Sequence, residues 1–142
     1  MTIAAILASK GRDIICVEGD QPIPQALALL ADKRIGALPV VEGGRVTGIF
    51  SERDVIYCLA KEGRAALGRS VRDLMTAPAV TVTSAESVLG ALALMTQRRI
   101  RHLPVVDGEQ LVGFVSIGDL VKHRIDRIEA EAEAMRSYIQ QA

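Results

Sequence analysis

Two four-residue runs carry the most specific chemistry in the chain: Ser51-Glu52-Arg53-Asp54 and Ser116-Ile117-Gly118-Asp119, 65 positions apart. Each sets a hydroxyl and a carboxylate three residues apart, where an apolar strand-like run gives way to a helical one. That spacing is a helix N-cap box, in which the serine hydroxyl accepts from backbone N–H groups and the acid three residues on assists. Aspartate is shorter than the usual glutamate, so the bond back to the cap is expected to be poorly made. The same helix start offers free N–H groups and a positive dipole end, which suit a phosphate. A second cluster, Arg98-Arg99-Ile100-Arg101-His102, ends a helical run. Arg98 and Arg99 complement the negative end of that helix, whereas Arg101 and His102 fall beyond it, just before the next strand.

The elements that must position these groups occur twice. Residues 31–56 (ADKRIGALPVVEGGRVTGIFSERDVI) align with 96–121 (TQRRIRHLPVVDGEQLVGFVSIGDLV), with ten of 26 positions identical. A repeat of this period means two supersecondary units that stack on each other, with a cleft between similar faces. Each unit is predicted as helix–strand–helix–strand–strand–helix. In the first, Thr2–Leu7 is a helical turn, Asp13–Val17 a strand, and Ile23, Ala26, Leu27 and Leu30 form one face of a helix. Leu38–Val41 and Arg45–Phe50 form a hairpin around Glu42-Gly43-Gly44, and Ser51 opens a helix closed by Gly63. In the second, Ser70–Met75, the strand Ala79–Val82, a helix capped by Ser84 or Ser87, and the hairpin Leu103–Val106 with Leu111–Val115 play the same parts. The expected divisions are 1–63, a linker at 64–69, 70–127, and a helical extension at 128–142. In that extension Val121, Ile125, Ile128, Ala132, Met135 and Ile139 recur at spacings of four and three, a heptad seam that calls for a partner, most simply a second copy of the chain.

The chain has 142 residues, about half of them apolar, so a core is available; 17 basic and 17 acidic residues cancel. No basic excess points to nucleic acid, and the absence of Trp argues against base-stacking platforms. Cys16 and Cys58 lack metal-ligand spacing and read as buried, reduced thiols. No signal peptide or membrane-spanning run stands out, so a soluble cytoplasmic protein is expected. His123 is expected on the surface of the last helix. A phosphate-binding P-loop, a G-x-S-x-G elbow, a two-histidine metal motif and a nucleophile–base pair at catalytic spacing are all missing. Neither a catalyst nor a metal site is expected.

The duplicated pattern R-I-x-x-L-P-V-V, then Gly, then G-h-h-S-x-x-D (h apolar), resembles a tandem pair of CBS domains, and Val71–Thr76 (V-R-D-L-M-T) resembles the usual start of one. The resemblance spans about Thr2 to Arg127 and is closest to small stand-alone bacterial CBS-pair proteins. It implies an α+β fold of two units packed as a pseudo-twofold pair with an extended C-terminal helix. It implies an adenine-nucleotide ligand (AMP, ADP, ATP or NAD(H)) in the cleft between the repeats. By the same resemblance Asp54 and Asp119 accept from the two ribose hydroxyls, a match of two carboxylate oxygens to a vicinal diol, while Ser51 and Ser116 cap. Arg101 and His102 stand where nucleotide-binding members reach phosphates. Arg101 has the fork for bidentate contact and His102 adds a proton-sensitive one. Their counterparts Gly36 and Ala37 can do neither, so the clefts are expected to differ. Arg53 is placed to add charge to either cleft. Ile15, Val17, Val80 and Val82, with Ile35 and Ile100, are the candidates the resemblance implies for the adenine walls, although most of them suit plain core equally well. The function implied is a non-catalytic sensor that forms homodimers and signals to a separate effector protein, with no nucleic acid or membrane as partner. The alternative is a structural dimerisation module with no small-molecule ligand.

Overall fold

The computed structural model describes residues 1–11 and 13–141. In chain order it contains α1 (Ile3–Lys10), α2 (Ile23–Lys33), β1 (Ala37–Glu42), β2 (Arg45–Ser51), α3 (Glu52–Glu62), a 3₁₀ turn (Gly63–Gly68), α4 (Val71–Leu74), α5 (Val88–Arg98), β3 (His102–Asp107), β4 (Gln110–Ser116) and α6 (Ile117–Gln141). The fold is the α+β tandem repeat expected from the sequence.

The two hairpins are copies in register as well as in sequence. β1 pairs antiparallel with β2, β3 with β4, and each slips by a bulge at the equivalent Val40/Val41 and Val105/Val106. The expected leading strands are reduced to one residue each. Only Val17 and Val82 join the hairpins, through parallel bridges to Val40 and Val105. The residues before them leave the sheet and run along cavity walls instead, so Asp13–Val17 and Ala79–Val82 are not full strands. On α2 the predicted face holds: Ile23, Ala26 and Leu30 are buried.

Sequence halves and packing halves do not coincide. One core joins Ile3 and Ile6 of α1 to Val88, Ala91 and Met95 of α5, Leu103, Val105 and Val115 of the second hairpin, and Leu120 of α6. The other joins Val71 of α4 to Ile23, Ala26 and Leu30 of α2, Leu38, Val40 and Phe50 of the first hairpin, and Val55 of α3. Each repeat thus lends its first helix to the other repeat's core. Matching bridges, Thr2 to Ser87 and Pro22 to Ser70, hold the exchange. The repeated glycines of β2 and β4 make room for it. A methyl group on Gly48 would sit 2.8 Å from the Thr76 carbonyl and the Met75 sulfur, and one on Gly113 would collide with the Leu7 side chain. The segment expected as a linker is itself packed: Ala66 is fully buried, and the Arg69 carbonyl accepts from the Ile23 N–H at 3.1 Å.

Three further expectations change. Cys16 is exposed, because its strand never forms, and Cys58 is only half-buried. The Cys58 thiol donates to Glu62 at 3.1 Å, and this bond, with some desolvation, raises its pKa above the ordinary thiol value. His123 is half-buried rather than on the surface, with Nε2 shielded from solvent and without a hydrogen-bond partner among the described residues. Beyond its buried Leu120, α6 leaves Val121, Ile125, Ile128, Met135 and Ile139 42–65% exposed. Among the described residues no helix is long and apolar enough to cross a membrane.

Candidate functional site

Asp54 and Asp119 stand in the first turns of α3 and α6, and both close the cap box that aspartate was expected to reach poorly. The Ser51 N–H donates to Asp54 Oδ2 at 2.9 Å, and the Asp54 N–H to Ser51 Oγ at 3.3 Å. At the other end the distances are 2.8 and 3.1 Å. The reach succeeds because Ser51 is extended (φ −131°, ψ 161°), which folds the cap N–H over the first turn. The second carboxylate oxygens point elsewhere, and here the repeats diverge. Asp54 Oδ1 accepts from the Thr76 hydroxyl at 3.0 Å. No hydrogen bond to Asp119 Oδ1 occurs among the described residues, but its Oδ2 also takes the Lys10 ammonium at 2.7 Å.

Two cavities lie between the repeats, of about 360 and 420 Å³, within the ~300–1,000 Å³ range of small-molecule sites. The first combines the start of α3 (Ser51–Asp54) with Thr76, with Pro78–Val80, and with Arg99–His102 of the other repeat. The second combines Asp119 and Phe114 with Lys10, with Asp13–Ile15, and with Arg34–Ala37. The chain that leaves the sheet before Val82 and Val17 therefore walls each cavity, and the turn that follows α5 or α2 faces the opposite repeat's helix start. Gly36, Ala37, His102 and Ser116 line both cavities and form the partition between them.

Among the residues expected at a site, Ser51, Arg53, Asp54, Val80, Ile100 and Arg101 meet in the first cavity, while Ile15 and Asp119 face the second. Ser116 and His102 serve both. Val82 and Val17 do not reach either one: they are buried at 7% and 2% exposure in the two cores, because the bridges to Val105 and Val40 turn them inward. The pairing that the repeat alone leaves open is resolved. Arg101 shares its cavity with Asp54, not Asp119, because the hairpin of one repeat faces the α-helix start of the other.

Two participants were missed by motif reading. Thr76 ends the V-R-D-L-M-T run, and its place in that run was the only signal. Lys10 has no motif and reaches Asp119 because the helix exchange carries α1 across. Arg34 and Arg99, the identical caps of α2 and α5, both adopt left-handed backbone (φ 53° and 54°). They line the second and the first cavity respectively.

Among the described residues, the first cavity holds Arg53, Arg99 and Arg101 beside Glu52 and Asp54, and the second holds Lys10 and Arg34 beside Asp13 and Asp119. Burial raises the Asp119 pKa, but the Lys10 ammonium and the Ser116 N–H outweigh it and hold the carboxyl below its ordinary value. Burial, then the nearby Arg101 and Lys10 charges, depress His102, whose ring stacks on Phe114 at 5.5 Å. The free protein therefore keeps His102 neutral at neutral pH.

A duplicated αβ unit whose first helices are exchanged, with two related cavities between the copies, defines a paired two-cavity module. The CBS domain family model matches residues 8–61 and 71–126. The chain belongs to the CBS-domain proteins and holds two such domains in tandem. It is 34% identical over 148 residues to the CBS domain-containing protein CBSX3, mitochondrial, of Arabidopsis thaliana, covering 98% of this chain and 72% of that one. Among solved structures it superposes with a TM-score of 0.83 on a CBS-domain containing protein of Agrobacterium tumefaciens, at 38% identity, over 87% of this chain and 92% of that one. It also superposes with a TM-score of 0.76 and 25% identity on the CBS domain pair of protein MJ0100 in complex with 5-methylthioadenosine and S-adenosyl-L-methionine, over 86% of this chain and 98% of that one.

Proposed function

We propose that the chain is a non-catalytic sensor that binds an adenine nucleotide between its repeats and reports occupancy through its shape or assembly. The observation that carries this is the first cavity. Two carboxylates at the start of α3, Glu52 and Asp54, three arginines and the apolar walls of Val80, Ile49 and Ile100 converge there from both repeats. The Asp54 carboxylate suits a ribose diol once the Thr76 hydroxyl gives way. Arg101 and Arg99 suit a phosphate, and the apolar wall suits a purine. The complex of MJ0100 with two adenosine-derived ligands supports the ligand class.

A non-enzymatic role is supported by what the polar groups do. Cys58 is held as a thiol by Glu62, His102 is stacked on Phe114, and Ser51 and Ser116 are spent on caps. The reading includes a homodimer. α3 exposes Ile56 and Tyr57 at 60 and 66%, and α6 exposes its seam, so two long apolar strips are left for a second copy. A separate effector protein completes the reading.

The test is a thermal-shift screen of ligand-stripped protein with AMP, ADP, ATP, NAD, NADH and S-adenosylmethionine. A ligand at a hundred times its dissociation constant adds about 2.7 kcal/mol. A rise in Tm with at least one adenine ligand is expected. A flat screen on demonstrably ligand-free protein rejects the sensor reading in favour of a purely structural dimerisation module.

A further inference from the structure

We infer that Lys10 sets the ligand specificity of the second cavity, so that this cavity favours phosphorylated nucleosides and disfavours bare ones. The inference rests on the nucleotide reading above. It starts from a difference between two otherwise matched sites. The carboxylate of the first cavity is met by a neutral hydroxyl, Thr76 Oγ1 on Asp54 Oδ1 at 3.0 Å. That of the second is met by a full charge, Lys10 Nζ on Asp119 Oδ2 at 2.7 Å, and the same ammonium donates to the Phe114 carbonyl at 2.7 Å.

Lys10 is held in place. It ends α1, whose Ile3 and Ile6 are buried in the second core, and Leu7 packs against Gly113 on β4. The Lys10 side chain is 40% and that of Asp119 27% exposed. The pair is thus partly screened and exchangeable rather than a sealed structural bridge. It also lines the cavity, together with Arg34.

A ribose diol entering this cavity competes with the ammonium for Asp119. A nucleoside offers Lys10 nothing in return, so the displaced charge loses its anionic partner. A nucleotide offers its phosphate, and Lys10 moves from carboxylate to phosphate oxygen without losing a charged hydrogen bond. In the first cavity a nucleoside displaces only a neutral threonine hydroxyl, which finds water. Lys10 therefore penalises adenosine and rewards AMP at the second cavity, and removing it should shift the two ligands in opposite directions.

Isothermal titration calorimetry of the ligand-free full chain with adenosine and with AMP tests this on wild type, Lys10→Met and Lys10→Arg. Lys10→Met is expected to tighten the weaker adenosine site and to loosen the weaker AMP site. Each change should be about ten- to a hundredfold, the span of one charged hydrogen bond. Lys10→Arg, which keeps the charge, should behave as wild type and shows that Lys10→Met acts through charge. Two adenosine sites of equal affinity in wild type overturn the role of Lys10, and so does a Lys10→Met chain in which both ligands move the same way. Binding of neither ligand to the wild type overturns the nucleotide reading itself, and this inference with it.

Discussion

The same aspartate does two jobs in each repeat, and this decides how it must be tested. Asp54 closes the cap of α3 and faces the first cavity, so Asp54→Ala removes a cap contact together with any ligand contact. Ser51→Ala separates them. It should cost about 1 kcal/mol of stability through the cap and leave adenosine affinity within twofold, as read by urea melts and calorimetry. Arg101, exposed at the mouth of the same cavity, should act on phosphate alone. Arg101→Ala should weaken AMP by about one to two decades and leave adenosine unchanged; equal losses for both would make it a scaffold residue. His102 gives a pH signature. Its pKa is lowered in the folded chain, so below its ordinary value of about 6.5 the unfolded chain binds more protons than the folded one. Stability therefore falls as pH drops through that window, and is fully present above it. His102→Phe should flatten the decline in urea midpoint between about pH 7.5 and pH 5.5; a variant that tracks wild type would show that the imidazole is not the titrating group.

At the scale of elements, the hairpin glycines and α6 carry the testable weight. Gly48 lies under the Met75-Thr76 segment that follows α4 and Gly113 under Leu7 of α1, and the backbone at Gly48 cannot give way as the flexible side chain at Gly113 can. Gly48→Ala, facing the Thr76 carbonyl at 2.8 Å, should cost about 1–3 kcal/mol as an overpacking change. Gly113→Ala, facing only the Leu7 side chain, should cost less. Matched thermal melts of the two variants check the order, and a reversal would show that Leu7 is the less yielding neighbour. α6 is 25 residues long, and beyond Leu120 the large apolar residues of its seam are exposed. Deleting residues 128–142 removes Ile128, Ala132, Met135 and Ile139, where burying a large aliphatic side chain contributes roughly 1.5–3 kcal/mol. The truncated chain should dissociate at higher concentration in analytical ultracentrifugation while its Tm in the dissociated state stays unchanged. An unaltered dissociation constant would move the dimer contact to α3 and the start of α6.

For the whole molecule, the exchange of first helices makes the two repeats one cooperative body. A fragment ending at residue 63 would keep α1 with no α5 to bury Ile3 and Ile6, and would lack Val71 for its own core. Fragments 1–63 and 64–142 should each give poorly dispersed amide spectra alone, and the full chain a single urea transition. A dispersed spectrum from either fragment would show that the exchanged helix is dispensable. The exchange also gives the cavities their composition, since each draws one wall from each repeat, and Gly36, Ala37, His102 and Ser116 line both cavities.

Much of this was legible from residues. The alternation and turn chemistry of ALPVVEGGRVTGIFS and HLPVVDGEQLVGFVS encode the hairpins, because strand period and glycine turns are local properties. The Ser-x-x-Asp runs encode the helix starts for the same reason, whereas the contrast of Arg101-His102 with Gly36-Ala37 does not map one pair to each cavity, since Gly36, Ala37 and His102 line both. What stayed hidden was non-local. Val82 and Val17 suit either a cavity wall or the core by residue type, and a single bridge each turns them into the core. Asp13–Val17 looks like a strand, yet its neighbours leave the sheet to wall a cavity, exposing Cys16. The pairing of Arg101 with Asp54, and of Lys10 with Asp119, depends on which repeat's helix packs over which repeat's hairpin. Two copies of one pattern are compatible with either arrangement. The amino acids alone determined two units, their caps and their hairpins, while the packing of one unit's helix into the other's core decided which charges meet.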